Sequence, residues 1–97
     1  MGKEHGWWVY ILRCADGTLY TGMAADVERR FRVHSRGRGA KYTRSRLPLE
    51  LVYREECESR SAALRREAAI KGLTRLEKLE LVEKGASGDK SGGIGDK

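Results

Sequence analysis

The sequence predicts a small α+β domain, and three observations support this prediction. The chain has 97 residues, which leaves room for a single domain with a modest core. Short runs rich in β-branched and aromatic residues, typical of strands, occur at residues 7–14, 18–22 and 49–53. Three further stretches carry apolar residues at helical spacing and begin after capping residues. We therefore expect three strands and three helices.

The first two strands are predicted to form a hairpin. Residues 7–14 are apolar on both faces, and residues 15–17, Ala-Asp-Gly, are a turn signal. A three-residue loop with its glycine in the left-handed region places Leu12 opposite Tyr20. In that register Tyr10 and Tyr20 project from the same face of the sheet, whereas a two-residue loop would place them on opposite faces.

The first helix is predicted over residues 27–35, with Asp26 as its N-cap. Arg30 lies between the apolar positions of this helix, and His34 lies beside it at i+4. A cation within an apolar stripe costs free energy unless a partner neutralises it. The Arg30 and His34 pair therefore indicates a functional site.

A third strand and a second long helix follow a loop of uncertain structure. Alternating residues 49–53 predict the strand. Ser59 or Ser61 begins the helix, and Gly72 ends it. Glu67 lies in the middle of the apolar stripe of this helix. Four residues form that stripe: Ala63, Leu64, Ala68 and Ile70.

The last helix is predicted over residues 75–84, and three of its apolar residues are expected to face inward: Leu76, Leu79 and Val82. From residue 85 the composition changes to Gly and Ser, which predicts a disordered tail over residues 85–97. The domain itself is then expected at residues 7–84, after an N-terminal extension of residues 1–6.

The positive charge is concentrated in one segment. The net charge is +6, but residues 29–46 carry eight cations and no acid, so the remainder is net negative. Like charges repel, and a folded domain tolerates them more readily beside an anion. A solvated charged face is the alternative interpretation. We expect nucleic-acid contacts from Arg29, Arg36, Arg38, Lys41, Tyr42, Thr43, Arg44 and Arg46.

Several classes of protein are disfavoured. No apolar stretch approaches the roughly 20 residues needed to cross a bilayer, and the start of the chain lacks a signal-peptide core. Cys14 and Cys57 belong to no CxxC pair, which predicts reduced thiols in a cytoplasmic protein. The chain contains no Asn and no Gln, the side chains that read adenine bidentately, so we expect recognition through backbone and shape.

Five residues supply the groups that phosphodiester hydrolysis requires. Those groups are a water activator, a cation at the phosphoryl oxygens and a carboxylate for a divalent metal. Each residue alone also has a structural interpretation, as a core aromatic, a satisfied histidine or a salt-bridged glutamate. The candidate catalytic residues are Tyr10, Tyr20, Arg30, His34 and Glu67.

The chain resembles the GIY-YIG nucleases, and in particular their small stand-alone bacterial members. The first half of the signature appears at residues 8–10, Trp-Val-Tyr, and the second at residues 20–22, Tyr-Thr-Gly. The helix with Arg30 and His34 follows, and Glu67 stands in a later Leu-Arg-Arg-Glu run. The resemblance covers nearly all of the folded chain.

This resemblance implies a three-stranded antiparallel sheet flanked by helices, and metal-dependent cleavage of DNA. It implies that Glu67 ligates one Mg²⁺ or Mn²⁺ ion and that Arg30 stabilises charge on the scissile phosphate. It also implies that Tyr10 activates the attacking water while His34 takes up or relays the proton. Tyr20 would position water or phosphate, or share the role of base.

Two functional hypotheses follow. The first is a DNA endonuclease acting at branched, damaged or single-stranded sites in DNA repair or recombination, with RNA as an alternative substrate and a protein partner supplying specificity. The second is a non-catalytic nucleic-acid-binding module that retains the fold. The basic segment supports the second hypothesis, as does the missing Asn that follows the metal-binding Glu in many members of the family.

Overall fold

A computed structural model describes residues 6–89, in which a three-stranded sheet has helices on both faces. The strand order is β2-β1-β3, and both pairs are antiparallel. The predicted fold class is therefore confirmed. The elements in chain order are β1 (Trp7–Arg13), β2 (Leu19–Ala24), α1 (Val27–Ser35), α2 (Lys41–Arg44), β3 (Glu50–Cys57), α3 (Arg60–Lys71) and α4 (Arg75–Asp89).

The hairpin between β1 and β2 has the predicted register. Gly17 adopts a positive φ of 85°, and the backbone N–H of Cys14 donates to the carbonyl oxygen of Thr18 at 2.8 Å. Leu12 consequently lies opposite Tyr20. Since side chains alternate between the faces of a strand, Tyr10 and Tyr20 share one face, as predicted.

The two faces of the sheet pack against different helices. We call them the α3 face and the α1 face. Four residues form the buried cluster of the α3 face, with β1 packed on α3: Val9, Ile11, Ala63 and Ile70. Three residues form the buried apolar cluster of the α1 face: Tyr10, Leu12 and Val27. Because β1 is the central strand and contributes to both clusters, its sequence has to be apolar on both sides.

Strand β3 continues four residues beyond its predicted end at residue 53. The additional residues, 54–57, include three charged side chains. Glu55 is half-buried, and Arg66 of α3 donates to both of its oxygens at 2.7 and 3.2 Å. Arg54 pairs with Glu28 of α1. These ion pairs let a charged segment form a strand that the apolar pattern alone does not predict.

Helix α3 begins after Ser59, whose hydroxyl accepts from the N–H of Ala62 at 3.1 Å. Its buried side is set by Ala63 and Ile70, which lie seven residues apart and face the sheet. Two members of the predicted stripe are exposed instead: Leu64 and Ala68. The prediction that Leu64 and Ala68 face the core is therefore wrong, whereas Ala63 and Ile70 are buried as predicted.

Helix α4 continues to Asp89, although the sequence predicts disorder from residue 85. Gly85 lies against the ring of Tyr53, where a Cβ atom would clash, so a contact with the sheet accompanies the extra turn. Leu76 is 68% exposed, against the prediction that it faces inward. The predicted extension and the rest of the tail, residues 1–5 and 90–97, lie outside the described residues. Within residues 6–89 no helix is long and apolar enough to cross a membrane.

Candidate active site

Tyr10 and His34 form the centre of the candidate site. Tyr10 lies in the middle of β1, which is paired on both sides and is therefore fixed along its length. His34 lies in the last turn of α1 and is fully buried. The hydroxyl of Tyr10 lies 2.9 Å from Nε2 of His34. The central strand and α1 thus hold the two halves of a buried polar pair.

A second hydrogen bond fixes the orientation of the imidazole. Nδ1 of His34 lies 2.9 Å from the hydroxyl oxygen of Thr43, and that hydroxyl donates to the carbonyl oxygen of Ala40 at 2.9 Å. Because the only hydroxyl proton of Thr43 is used toward Ala40, its oxygen accepts from Nδ1–H. Nε2 is then unprotonated and accepts from Tyr10.

Thr43 is therefore not a nucleic-acid contact, and that prediction is corrected. Its side chain is fully buried in α2 and touches His34 rather than solvent. From the sequence, Thr43 is predicted as one of the nucleic-acid contacts of the basic segment, and its role in holding the histidine is not predicted. No pattern in the sequence indicates this contact, because it depends on how the loop after α1 folds back onto the helix.

Two glycines allow the pair to approach the backbone closely. A Cβ atom at Gly22 would lie 2.5 Å from the hydroxyl oxygen of Tyr10. A Cβ atom at Gly39 would clash with Nδ1 of His34. Any larger residue at either position would displace the tyrosine hydroxyl or the imidazole ring. These glycines are therefore part of the site, and we had not predicted either as a site residue.

Burial keeps both members of the pair neutral. Burial lowers the pKa of His34 to about 4, and the nearby positive charge of Arg30 acts in the same direction. Burial raises the pKa of Tyr10 to about 12, against the lowering effect of the Arg30 guanidinium. At neutral pH the imidazole is unprotonated and the phenol carries its proton. The resting site is thus a neutral proton donor beside a neutral proton acceptor.

Arg30, Tyr20 and Glu67 all lie close enough to Tyr10 to affect its pKa. The Arg30 guanidinium lowers that pKa, whereas Tyr20 and Glu67 raise it. Of the five candidate catalytic residues, the structure packs Tyr10, Tyr20 and His34 together, and the charges of Arg30 and Glu67 act on the Tyr10 phenol. Within the described chain the ion pair of Glu67 is with Lys71, at 3.4 Å, rather than with Arg30.

Tyr20 connects the buried pair to the protein surface. Its ring meets that of His34 edge-on, with centroids 5.4 Å apart. On the outer side it stacks with Tyr42, at 6.0 Å and an interplanar angle of 22°. The guanidinium of Arg46 lies 3.8 Å from the centroid of Tyr42 and also pairs with Asp16 at 3.1 Å. These contacts fix one wall of the site.

The other predicted nucleic-acid contacts of the basic segment differ in how far their side chains are exposed to solvent. Arg46 is partly buried and holds the aromatic wall, so its guanidinium is already engaged. Tyr42 is 38% exposed and forms the outer part of the same wall. The remaining predicted nucleic-acid contacts are exposed: Arg29, Arg36, Arg38, Lys41 and Arg44. Their contact with nucleic acid stays a prediction.

Glu67 is the carboxylate that could hold a metal at this site. Its side chain is 18% exposed, which leaves it reachable from solvent. Among residues 6–89 no group of three or more His, Cys, Asp or Glu residues converges as a metal cage. Mg²⁺ is often held by one or two carboxylates, with water and phosphate oxygens completing its shell. The residues therefore fit an ion shared with a substrate and do not fit a closed protein site.

Comparison with known proteins identifies the family. A model of the GIY-YIG catalytic domain matches residues 6–80. The chain belongs to the GIY-YIG family. The predicted resemblance is thus confirmed, and the signature halves correspond to β1 and β2, the two strands that carry Tyr10 and Tyr20. Proteins with this catalytic domain are generally nucleases, which implies a nucleic-acid substrate.

Similar proteins are of comparable size to this GIY-YIG chain. A UPF0213 protein of Natronomonas pharaonis is 54% identical over 82 residues, which cover 84% of this chain and 94% of that protein. A UPF0213 protein of Staphylococcus aureus is 55% identical over 75 residues, which cover 77% and 92% respectively.

Two solution NMR structures share the fold of this GIY-YIG domain. The UPF0213 protein of Bacillus halodurans has a TM-score of 0.54 and 48% sequence identity, over 81% of this chain and 85% of that one. A protein of E. faecalis has a TM-score of 0.55 and 40% identity, over 79% and 82% respectively. Both agree with the three-stranded sheet and flanking helices described above.

Proposed function

We propose that the protein is a metal-dependent endonuclease that hydrolyses phosphodiester bonds in DNA. The observation that carries the proposal is the buried contact of 2.9 Å between the hydroxyl of Tyr10 and Nε2 of His34, a phenol on which the charges of Arg30 and Glu67 also act. In this proposal a proton acceptor, a cation and a carboxylate work together at one phenol. Hydrolysis of a phosphodiester needs these three kinds of group.

Tyr10 and His34 would move the proton of the attacking water. As the Tyr10 hydroxyl gives its proton to Nε2 of His34, the phenol oxygen can take a proton from a water molecule in front of it. The imidazolium formed would keep its Nδ1–H bond to Thr43, so the ring would not need to rotate. Two short proton transfers would thus activate water without leaving a free phenolate.

The resting pKa values show what the substrate has to supply. Burial raises the pKa of Tyr10 and lowers that of His34, so proton transfer from the phenol to the imidazole is unfavourable in the empty site. The negative charge of a phosphate bound at the site would favour the imidazolium and reduce that cost, without direct contact with the buried ring. The pair would therefore be inactive toward water until a phosphodiester is bound.

Arg30 and Glu67 would act on the phosphate itself. The guanidinium of Arg30 would donate to the phosphoryl oxygens, where negative charge grows in the transition state. Glu67 would hold Mg²⁺ or Mn²⁺, and a bound ion would supply further positive charge at the phosphoryl oxygens. Tyr20, whose ring is fixed between His34 and Tyr42, would position water or phosphate.

The deciding experiment compares two glutamate variants in a cleavage assay. Wild-type protein with Mg²⁺ or Mn²⁺ is expected to cut a panel of single-stranded, duplex, flap and junction DNA, with RNA as a further substrate. Glu67→Gln should abolish cutting, and Glu80→Gln, at an exposed position of α4, should not. Folding of both variants is checked by circular dichroism. Equal residual cleavage in all three preparations would identify a contaminant and reject the proposal.

A non-catalytic binding module is the second candidate function, and the Glu67–Lys71 pair favours it. That pair satisfies the carboxylate without any metal. A binder would bind DNA with steep salt dependence but would show no metal-dependent change at Glu67. Titration of Mg²⁺ or Mn²⁺ against the wild type and Glu67→Gln, followed by NMR, distinguishes the two functions. Cytoplasmic location and a protein partner that supplies specificity remain predictions from the sequence.

A further inference from the structure

A groove of about 260 Å³ lies beside the candidate active site, along the edge strand β2. We propose that this groove binds the backbone of a single nucleic-acid strand at the phosphodiester that flanks the scissile one. The inference rests on the proposed function in taking nucleic acid as the ligand. Six residues line the groove: Leu19, Tyr20, Thr21, Tyr42, Lys71 and Lys78.

Two lysines from different helices converge on this groove. Lys71 comes from the end of α3 and Lys78 from α4, and neither belongs to the basic segment of residues 29–46. Lys71 is paired with Glu67, whereas within residues 6–89 no carboxylate lies within ion-pair distance of Lys78. The lysines of the groove therefore carry one positive charge that no carboxylate offsets. Such an arrangement is stabilised by an anion.

Thr21 adds a polar group without a partner. It is 3% exposed, and its hydroxyl has no hydrogen-bond partner among the described residues. Buried hydroxyls nearly always have a partner, so an orphan at a groove points to a ligand or water that supplies one. A valine would fill the same space without this unmet requirement. Since Thr21 lines the groove, we expect this hydroxyl, which the protein shields from solvent, to donate to a phosphodiester oxygen once a strand is bound.

The groove continues directly from the candidate active site. Tyr20, whose ring meets that of His34 edge-on, is also one of the residues that line the groove. Lys71 lies one helical turn after Glu67. A strand whose scissile phosphate lies at Arg30 and Glu67 would thus reach the lysines with its next phosphate. A groove of this size has room for one phosphodiester, and Tyr42, fixed by Tyr20 and Arg46, gives it a rigid wall.

The test measures binding of a fluorescein-labelled single-stranded DNA octamer by anisotropy, without divalent metal so that no cleavage occurs. Lys78→Gln should weaken binding by about five- to tenfold and reduce the salt slope by about 0.7, the value for one lost phosphate contact on a single strand. Lys84→Gln, an exposed lysine of the same helix outside the groove, should leave both unchanged. Lys78→Arg, which keeps the charge, should retain most of the affinity.

Thr21→Val provides an independent arm. If the hydroxyl is an orphan that serves a ligand, this variant should raise the melting temperature and weaken DNA binding at the same time. A rise in melting temperature with unchanged affinity would show that the hydroxyl does not contact the strand, and would overturn this part of the proposal.

Several results would overturn the groove itself. One is an equal loss of affinity in Lys78→Gln and Lys84→Gln, which would indicate general attraction rather than a site. Another is an acidic peptide, with the same charge as the DNA octamer, that binds as tightly as the octamer and loses as much affinity in Lys78→Gln. That result would show that the groove does not select nucleic acid. If the wild-type protein cuts DNA and Lys78→Gln binds DNA with unchanged affinity, the groove proposal is rejected and the proposed nuclease function stands. If DNA binding depends on Lys78 but the wild-type protein never cuts DNA, the proposed nuclease function is rejected and the groove proposal stands.

Discussion

Strand β1 has a different environment on each of its two faces. On the α3 face its buried residues, Val9 and Ile11, form an apolar cluster with Ala63 and Ile70 of α3. On the α1 face the fully buried set includes two polar side chains, His34 and Thr43, and each is hydrogen-bonded. The α3 face also holds the half-buried ion pair of Glu55 and Arg66, but only the α1 face holds a buried tyrosine hydrogen-bonded to a buried histidine.

The difference shows how this small domain separates stability from chemistry. Burial of apolar area stabilises whatever the orientation of the groups, at roughly 25 cal/mol per Å². A buried hydrogen bond contributes only about 0.5–1.5 kcal/mol net, but loss of one partner costs about 1–3 kcal/mol. We therefore expect the α3 face to dominate the free energy of unfolding and the α1 face to fix geometry.

The largest expected effect is on the α3 face. Ile70→Ala removes a fully buried side chain and should lower the free energy of unfolding by about 2–5 kcal/mol, measured by urea denaturation. Ile70→Val, the matched control, should cost about 0.5–1.5 kcal/mol. Cleavage per folded molecule should stay at the wild-type value in both, because neither variant touches the polar pair. A loss below about 1 kcal/mol in Ile70→Ala would place the main core elsewhere.

The second effect belongs to the α1 face and depends on pH. The folded-state pKa of His34, about 4, lies below its ordinary value of 6.5. The unfolded chain therefore binds the histidine proton first as pH falls, so stability is full above pH 6.5 and is lost toward pH 4. The loss should approach about 3 kcal/mol.

Urea denaturation between pH 7 and pH 5 isolates this contribution. Asp16 and Glu28 also have lowered pKa values, but their contribution is lost only below about pH 4.5. Direct NMR titration of His34 checks the assignment. A histidine that titrates near pH 6.5 in the folded protein would contradict the description of the α1 face as a dry, neutral pair.

The two faces also differ in what the sequence could reveal. The α3 face follows from apolar periodicity, yet the helical phase was wrong for Leu64 because Ala63, a small residue, marks the close contact. On the α1 face, turn chemistry was enough to predict that Tyr10 and Tyr20 share a face, and the family resemblance implied that Tyr10 and His34 act together. Neither could predict the hydrogen bond to Thr43, because that bond depends on how the loop after α1 folds back.

The third effect tests that hydrogen bond. Thr43→Val keeps the shape of the side chain but leaves Nδ1–H of His34 buried without an acceptor, which should cost about 1–3 kcal/mol. Thr43→Ser restores the hydroxyl and should recover most of the loss. The specific readout is the ¹⁵N spectrum of the imidazole, in which the wild type should show a proton on Nδ1 and the valine variant a mixture of tautomers. A wild-type spectrum with the proton on Nε2 would reverse the direction of the proton transfers.

The smallest expected effect comes from an apolar residue that belongs to neither face. Leu76 lies on α4 in the phase that the sequence predicts as inward, but it is 68% exposed. Leu76→Ala should therefore change the free energy of unfolding by less than about 0.5 kcal/mol, the range of ordinary surface substitutions. Leu81→Ala is the matched comparison, since Leu81 packs on the α3 face and should cost more. Equal losses of unfolding free energy in the two variants would mean that Leu76 is buried, as the sequence predicts, and that the α3 face is larger than the structure describes.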